Sequence, residues 1–257
     1  IPFEQGHHPE SLVLNADEAK ELFELAEQKG GVLLEANKTA HCPAFNHLMV
    51  MIKSGVIGEV VDIEASLSQL LDKGGREFDA AQAGGALYEQ GSYPLLPIVK
   101  LMGCDYRHLT LYSRMENGVD IYTKGVFRYD HAVCSFKVGL GVKTEGNLVI
   151  SGTKGYAYVP SPWWLTDYFE LRYEDQNRNQ KFFYKWDGSG LRYEVQEFIS
   201  CIVNRRFSSS RLKQSESICM ARVMQSFAER QDHAVAFPAG ERLREDPRPG
   251  HASLPGE

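Results

Sequence analysis

The chain has 257 residues, of which 43% are hydrophobic, and its 28 Lys and Arg against 34 Asp and Glu give a net charge of −6. This length and apolar fraction are enough to bury one large core or two smaller ones. The mixed charges form no basic stripe, which argues against nucleic acid as a partner, and no apolar run has the length of a membrane span.

The first predicted elements are a helix, a short strand and a second helix. From Ala16 onwards apolar residues recur at helical spacing, with Asn15 placed to cap the helix and Gly30 to end it. The mostly apolar run 32–36 predicts a strand, and a second helix begins at Pro43, where the missing N–H costs nothing. A helix followed by a strand is typical of the closing unit of a parallel α/β sheet.

After residue 60 the sequence changes to the two-residue period of a β-strand. Val61 and Ile63 alternate with acidic residues, which predicts a strand with one buried and one solvated face. Further short runs separated by turn residues favour an antiparallel meander over more βαβ units. These runs lie near 107–115, 119–129, 132–138, 147–151, 156–159, 168–174 and 180–186.

Two amphipathic helices and a polar tail end the chain. From Pro238 the sequence is rich in Pro, Gly and charge, so residues 238–257 are predicted to be disordered. The two helices are predicted from apolar residues at helical spacing. Their apolar faces are formed by Val195, Phe198, Ile199 and Ile202, and by Met220, Val223, Met224 and Phe227.

The cysteines are odd in number, widely spaced and set among apolar residues. This pattern predicts reduced, mostly buried thiols in a cytoplasmic protein. His41, Cys42 and His47 match no zinc spacing, so no metal site is predicted. The five cysteines are Cys42, Cys104, Cys134, Cys201 and Cys219.

The segment Gly-Gly-Ala-Leu-Tyr-Glu-Gln-Gly-Ser-Tyr-Pro, residues 84–94, is the most informative part of the chain. Two adjacent glycines let the backbone pass close to a ligand or adopt a positive φ. Tyr93 then lies in the first turn of a helix predicted from Ser92 to Met102, where its phenol can exchange a proton with a carbon-bound oxygen. The motif alone also fits a common glycine turn before a core helix, in which Tyr93 only forms a hydrogen bond.

Four segments, in order, resemble the Gfo/Idh/MocA family of NAD(P)-dependent oxidoreductases. Residues 84–94 resemble the family signature Gly-Gly-Gly-x-Leu-x-Asp-x-Gly-x-His/Tyr, with Glu89 at the Asp position and Tyr93 at the last one. The tyrosine form is similar to the branch of dihydrodiol dehydrogenases and glucose-fructose oxidoreductases. The other matching segments are residues 15–27, 43–60 and 150–159.

The resemblance implies an α/β plus α+β chain with two parts. Residues 1–40 are expected to be the C-terminal part of a Rossmann-type NAD(P)-binding domain, and residues 41–237 an α+β substrate and dimerisation domain with a large open, mostly antiparallel sheet. The implied reaction is hydride transfer between NAD or NADP and the CH–OH group of a sugar, cyclic polyol or related diol, in a homodimer. We expect the sheet aromatics Tyr156, Tyr158, Trp163, Trp164 and Tyr168 to pack on the sheet or an interface rather than bind a ligand.

The resemblance also assigns candidate site residues, with Tyr93 as the catalytic acid/base. The family carries Glu-Lys-Pro before the helix that begins here at Ala16, and that lysine binds the reacting hydroxyl. Pro9-Glu10-Ser11 is the nearest counterpart and has no lysine, so Glu10 is the candidate for the surviving acid and for a cofactor contact. Lys38 is a candidate catalytic cation near Tyr93, or else a solvated loop lysine. Asn37 is a candidate cofactor contact.

The dinucleotide fingerprint is absent from the 257 residues. No Gly-x-Gly-x-x-Gly lies between a predicted strand and helix, and Gly139-Leu-Gly141 is a hairpin turn because a strand follows it. We expect the larger part of the cofactor domain to lie upstream, and this chain to bind NAD or NADP weakly or not at all. A non-catalytic binding or oligomerisation module derived from the family is the alternative function.

Overall fold

Helices and strands make up most of the described chain, and their order is close to the order predicted from the sequence. The computed structural model describes residues 13, 15–185, 188 and 190–229, together with the backbone of residues 235–238. The elements are α1 (Ala16–Gln28), α2 (Lys38–His41), α3 (Pro43–Lys53), β1 (Val60–Ser68), α4 (Ala86–Gln90), α5 (Ser92–Met102), β2 (His108–Glu116), β3 (Val119–Arg128), β4 (Val133–Gly139), β5 (Leu148–Gly152), β6 (Tyr156–Val159), β7 (Tyr168–Arg172), β8 (Gln180–Phe183), α6 (Leu191–Val203), α7 (Gln214–Ala228) and β9 (Val235–Pro238).

The strands form one sheet in the order β8-β7-β6-β5-β1-β4-β3-β2-β9. Only the pairs β1 with β4 and β2 with β9 are parallel, and the other neighbours run antiparallel. β1 lies at the centre, where Ile63 pairs with Cys134 on one side and Ile150 on the other. The predicted large, open, mostly antiparallel sheet is therefore confirmed.

Among the described residues, helices cover one face of the sheet and leave the other open. α4 and α5 contact β1, β3 and β4, and α3 contacts α5. Phe45 of α3, Leu95 of α5 and Phe136 of β4 are fully buried in the resulting core. Tyr112, Tyr156 and Phe183 are exposed aromatic side chains of β2, β6 and β8. Burial of apolar surface, at roughly 25 cal/mol per Å², therefore stabilises the covered face more than the open one.

The predicted starts and ends of several helices are confirmed. Asn15 Oδ1 accepts hydrogen bonds from the backbone N–H groups of Asp17 (2.8 Å) and Glu18 (3.3 Å), which caps α1 as expected. α3 begins at Pro43, and α5 runs over Ser92–Met102 and ends before Gly103. Capping explains these helix bounds, because it depends on residues within one turn of the helix end and not on distant parts of the fold.

The strand predicted over residues 32–36 is wrong. This segment leads from α1 to α2 without joining the sheet. An apolar run becomes a strand only where a neighbouring strand supplies hydrogen-bond partners, and none lies beside it among the described residues. Residues 1–12 and 14 lie outside the described part of the chain, so the predicted Rossmann remnant over 1–40 stays a prediction.

The orientation of α6 differs from the one that its pattern predicts. Its buried side chains are Tyr193, Glu197 and Cys201, while its apolar side faces solvent. Glu197 explains the inversion: one of its carboxylate oxygens accepts a hydrogen bond from Ser209 (2.8 Å), and Arg206 and Arg211 approach the carboxylate at 3.5 Å. Ion pairing therefore fixes the inner side of α6. The exposed apolar strip of α6 consists of Leu191, Val195, Phe198, Ile199, Ile202 and Val203.

The prediction of five reduced cysteines is wrong for two of them. Cys104 and Cys219 form a disulfide between the chain just after α5 and helix α7, with 5.8 Å between their Cα atoms. They are separated by 115 residues, so only the packing of α5 on α7 brings them together. Cys42, Cys134 and Cys201 are free and buried, as expected.

The C-terminal end of the described chain adds an edge strand that the sequence did not predict. β9 pairs in parallel with β2, and Pro238, the first residue of the predicted disordered tail, lies opposite Met115. Proline is tolerated at a sheet edge because it lacks only a donor N–H. Residues 239–257 lie outside the described residues. Among the helices of the described chain, none is both long enough and apolar enough to cross a membrane.

Candidate active site

The glycine turn before α4 is packed so closely that side chains are excluded. A Cβ at Gly84 would lie 2.6 Å from the carbonyl oxygen of Glu77. Gly85 has a φ of +134°, and a Cβ there would collide with Oδ1 of Asp120. Close approach and a positive φ are the two conditions that require glycine. The turn is therefore held between residues 76–77 and β3, and it fixes where α4 begins.

Asp120 holds the start of α4 from the second position of β3. Its buried Oδ2 accepts hydrogen bonds from the backbone N–H of Leu87 (3.0 Å) and from Thr123 Oγ1 (2.6 Å). Burial raises the pKa of Asp120 to about 7, although these hydrogen bonds oppose the rise. Asp120 is not among the residues predicted from the sequence, although an acidic residue between Val119 and Ile121 in a strand is a signal for it.

Glu89, at the signature's acidic position, forms an ion pair within the same region. Its Oε2 lies 2.9 Å from Nη2 of Arg76, and the Glu89 side chain is only 6% exposed. A buried carboxylate of this kind is stabilised by its paired guanidinium. The pair joins α4 to the turn at residues 76–78 and makes Glu89 a structural support for the motif.

Tyr93 lies in the first turn of α5 and is 5% exposed. The preceding residue, Ser92, is also buried, and its Oγ has no hydrogen-bond partner among the described residues. α5 packs against β1, β4, α3 and α7, so its first turn is held from several sides. The phenol of Tyr93 thus sits on a rigid element beside an unused hydroxyl.

Lys38 lies beside Tyr93, at the first position of α2. Its Nζ atom is 5.8 Å from the centroid of the Tyr93 ring, and the side chain is half-buried. α2 is fixed at both ends: Thr39 Oγ1 donates to the carbonyl of Trp164 (2.6 Å), and Arg211 Nη1 donates to the carbonyl of His41 (2.8 Å). The structure therefore brings together two of the predicted catalytic residues, Lys38 and Tyr93.

Glu194 on α6 is a neighbour of this site that is not among the residues predicted from the sequence. α6 packs against α2, and Glu194 is half-buried there. Burial raises the pKa of Glu194 to about 7, while the positive charge of Lys38 acts in the opposite direction. An acidic residue in the first turn of a helix is so common that Glu194 gave no sequence signal.

Asn37 is the N-cap of α2 and is fully buried. Its Oδ1 accepts a hydrogen bond from the backbone N–H of Ala40 (3.3 Å), whereas its Nδ2 has no partner among the described residues. An orphaned buried donor of this kind fits an acceptor group of a dinucleotide or of a substrate. The other predicted cofactor contact, Glu10, lies outside the described residues.

The residues considered for a metal do not form a site. The His47 ring forms a hydrogen bond with the hydroxyl of Tyr184, while burial lowers the pKa of His41 and raises that of Cys42. Across residues 15–185 and 190–229, no three His, Cys, Asp or Glu side chains are grouped so that they could hold a metal ion.

The sheet aromatics mostly pack against the sheet. Trp163 is fully buried, and its Nε1 donates to the carbonyl of Ser66 (2.8 Å). Arg172 lies over the rings of Tyr156 and Tyr158, with its Cζ 5.8 and 4.9 Å from the two centroids. These contacts agree with the expected packing role.

Comparison with known proteins agrees with the motif and the fold. Residues 45–158 match the family model of the GFO/IDH/MocA C-terminal domain. The trans-1,2-dihydrobenzene-1,2-diol dehydrogenase of Oryctolagus cuniculus is 28% identical over 236 residues, covering 88% of this chain and 71% of that protein. The Sus scrofa enzyme of the same name is 26% identical over 234 residues, covering 88% and 69%.

Solved structures of oxidoreductases share the fold. KijD10, a 3-ketoreductase from Actinomadura kijaniata in complex with NADP and TDP-benzene, superposes with a TM-score of 0.73 at 18% identity, covering 88% of this chain and 70% of that one. Levoglucosan dehydrogenase in complex with NADH and levoglucosan has a TM-score of 0.72 at 17% identity, covering 84% and 68%. The signature turn, the sheet and these relatives make the chain similar to oxidoreductases of the Gfo/Idh/MocA family, whose C-terminal domain model matches residues 45–158.

Proposed function

We propose that this protein is an NAD(P)-dependent oxidoreductase that acts on the CH–OH group of a diol, cyclic polyol or sugar, with Tyr93 as the acid/base. The observation that carries the proposal is the position of Tyr93, buried at the start of α5 with the Lys38 ammonium 5.8 Å from its ring. A tyrosine phenol titrates near pH 10 in water, so an acid/base role at neutral pH needs a nearby cation.

The chemistry divides between the dinucleotide and the protein. A bound nicotinamide ring supplies or accepts the hydride at the reacting carbon. Tyr93 takes the proton of the alcohol oxygen in oxidation and returns it to the carbonyl oxygen in reduction. The positive charge of Lys38 favours the phenolate form that accepts this proton. The buried Nδ2 of Asn37, which has no hydrogen-bond partner among the described residues, supports a role for Asn37 as a donor to the dinucleotide or to a substrate hydroxyl.

The substrate class follows from the relatives. Relatives are named for a cyclic dihydrodiol, and structural neighbours are complexed with levoglucosan or with a TDP compound. A hydroxyl on a ring, with a second hydroxyl nearby, is therefore the substrate pattern that we assign to this protein.

A binding or oligomerisation module without catalysis is the second candidate. It is favoured by one observation, the absence of a Gly-x-Gly-x-x-Gly turn from the 257 residues. That turn and the following helix N-terminus supply most contacts to a dinucleotide pyrophosphate. The coding sequence upstream of Ile1 distinguishes the two: a Gly-x-Gly-x-x-Gly turn between a strand and a helix there favours the enzyme, and its absence favours the module.

The test of the proposed function is Tyr93→Phe. In the full-length enzyme, which carries the complete cofactor domain, we expect turnover of a cyclic diol or sugar at saturating dinucleotide to fall roughly a hundredfold or more. The melting temperature should stay close to that of the wild type, because the ring keeps its packing.

The matched control is Tyr129→Phe, which removes a hydroxyl that donates a hydrogen bond to the carbonyl oxygen of Gly103 (3.0 Å). It should lower stability by about 1 kcal/mol and leave turnover unchanged. If Tyr93→Phe instead behaves like this control, Tyr93 is a scaffold residue and the proposed mechanism is wrong.

A further inference from the structure

A further titratable residue, Glu194, lies near the Lys38–Tyr93 pair, and no sequence motif assigns a role to it. Lys38 extends from α2, a helix held by hydrogen bonds to Trp164 and Arg211, so its position near Tyr93 does not depend on a flexible loop. α6 packs on the same short helix and carries Glu194. Glu194 interacts electrostatically with Lys38, so a group on α6 acts on the pair formed by α2 and α5.

We propose that Glu194 is a positioning residue for the Lys38–Tyr93 pair. Its carboxylate is the counter-charge that offsets part of the electrostatic field of the Lys38 ammonium at the Tyr93 phenol. This inference rests on the proposed acid/base role of Tyr93 and extends it to α6. When Glu194 is protonated, no charge on Glu194 opposes the field of the Lys38 ammonium at Tyr93. When Glu194 is ionised, its negative charge offsets part of that field.

The surroundings of Glu194 make it suited to this role. Burial favours its neutral form, whereas Lys38 favours the carboxylate, and the balance brings the pKa of Glu194 to about 7. Small changes of pH near neutrality therefore change its charge. Other charged groups of α6, α2 and their neighbours act on different partners: Arg192 lies over the Tyr193 ring, Glu197 binds Arg206 and Arg211, and His41 interacts with Glu197, Arg211 and Lys100.

Two titrations of the chain test the proposal without substrate or dinucleotide. Carbon NMR of labelled glutamate carboxyl groups follows Glu194, assigned by the signal that Glu194→Gln removes. We expect a midpoint of about 7, which Lys38→Met should raise because it removes the opposing positive charge. A midpoint near the usual value of 4.5, or one that Lys38→Met leaves in place, would overturn the proposal.

The second titration follows the Tyr93 phenolate by its ultraviolet absorbance, taken as the difference between each protein and its Tyr93→Phe form. Lys38→Met should raise the midpoint of Tyr93 by about 1 to 2 pH units, the scale of one charge some 6 Å away in a protein surface environment. Glu194→Gln should lower it, because the amide keeps the shape and removes the negative charge. Glu194→Asp should restore the wild-type value.

The exposed i,i+4 pair Lys20–Glu24 on α1 provides the matched control. Lys20→Met and Glu24→Gln should leave both titrations unchanged. An unchanged Tyr93 midpoint in Glu194→Gln would contradict the proposal even if the variant folds normally. Neither titration measures turnover. The role of Glu194 and the proposed function, which is tested by the turnover of Tyr93→Phe, can therefore fail independently.

Discussion

The buried carboxyl of Asp120 makes the stability of this protein depend on pH, and Asp120→Asn removes that dependence. In the folded chain burial raises the pKa of Asp120 from its usual 3.8 to about 7. The folded state therefore binds a proton that the unfolded state releases between about pH 4 and 7. Stability is greatest below the unfolded value and falls as the pH rises through about 7.

The size of the effect follows from the two pKa values. A difference of about three pKa units corresponds to about 4 kcal/mol of unfolding free energy. Asparagine resembles the protonated carboxyl in shape, and its amide oxygen can accept the hydrogen bond from the backbone N–H of Leu87. Relative to the wild type, Asp120→Asn should thus gain up to about 4 kcal/mol between about pH 4 and 8.

Urea unfolding of both proteins across this pH range measures the difference directly. Asp79→Asn is the control: Asp79 is exposed, and hydrogen bonds from Gln82 and Ala81 lower its pKa, so its pH dependence has the opposite sign. If the free-energy difference between wild type and Asp120→Asn is the same at about pH 5 and about pH 8, Asp120 does not titrate in this range and the reasoning fails.

Three further outcomes are expected. Gly85→Ala should destabilise the protein by more than about 1 kcal/mol in urea unfolding, because its Cβ collides with Asp120 at a positive φ, whereas Gly74→Ala, with open space around it, should be neutral. Reduction should lower the melting temperature, because the disulfide Cys104–Cys219 closes a loop worth up to about 4 to 5 kcal/mol, and the double Ser variant should not respond to reductant. Sedimentation should show a dimer that Phe183→Lys on the open sheet face weakens, and a monomer at high concentration would contradict it.

The sequence predicts those parts of the fold that are set by local chemistry. Asn15, Pro43 and Gly103 mark helix ends because capping and backbone conformation act within one turn. Strands β2 to β8 follow from alternation and turn residues, and each is confirmed to within a few residues. Tyr93 and Lys38 were named from a motif and from the end of a predicted strand, and the structure brings them together.

The features that the sequence did not predict all depend on distant partners. The run 32–36 has strand composition but no neighbouring strand, and β9 exists because β2 offers an open edge. α6 is turned by the ion pairs of Glu197, which involve residues up to fourteen positions away. The spacing of Cys104 and Cys219 says nothing about a disulfide, because α5 and α7 must first pack together.

The central position of β1 has a consequence for how the chain reaches this fold. Both neighbours of β1 come much later in the sequence, since its Ile63 pairs with Cys134 and Ile150. The meanders β2–β3–β4 and β5–β6–β7–β8, in contrast, pair strands that follow one another in the sequence. Because long loops delay pairing, we expect the two meanders to form first and β1 to join them last. During synthesis, the β1 edge that pairs with β5 therefore stays unpaired until residues 148–152 have emerged, and an unpaired strand edge is open to wrong association.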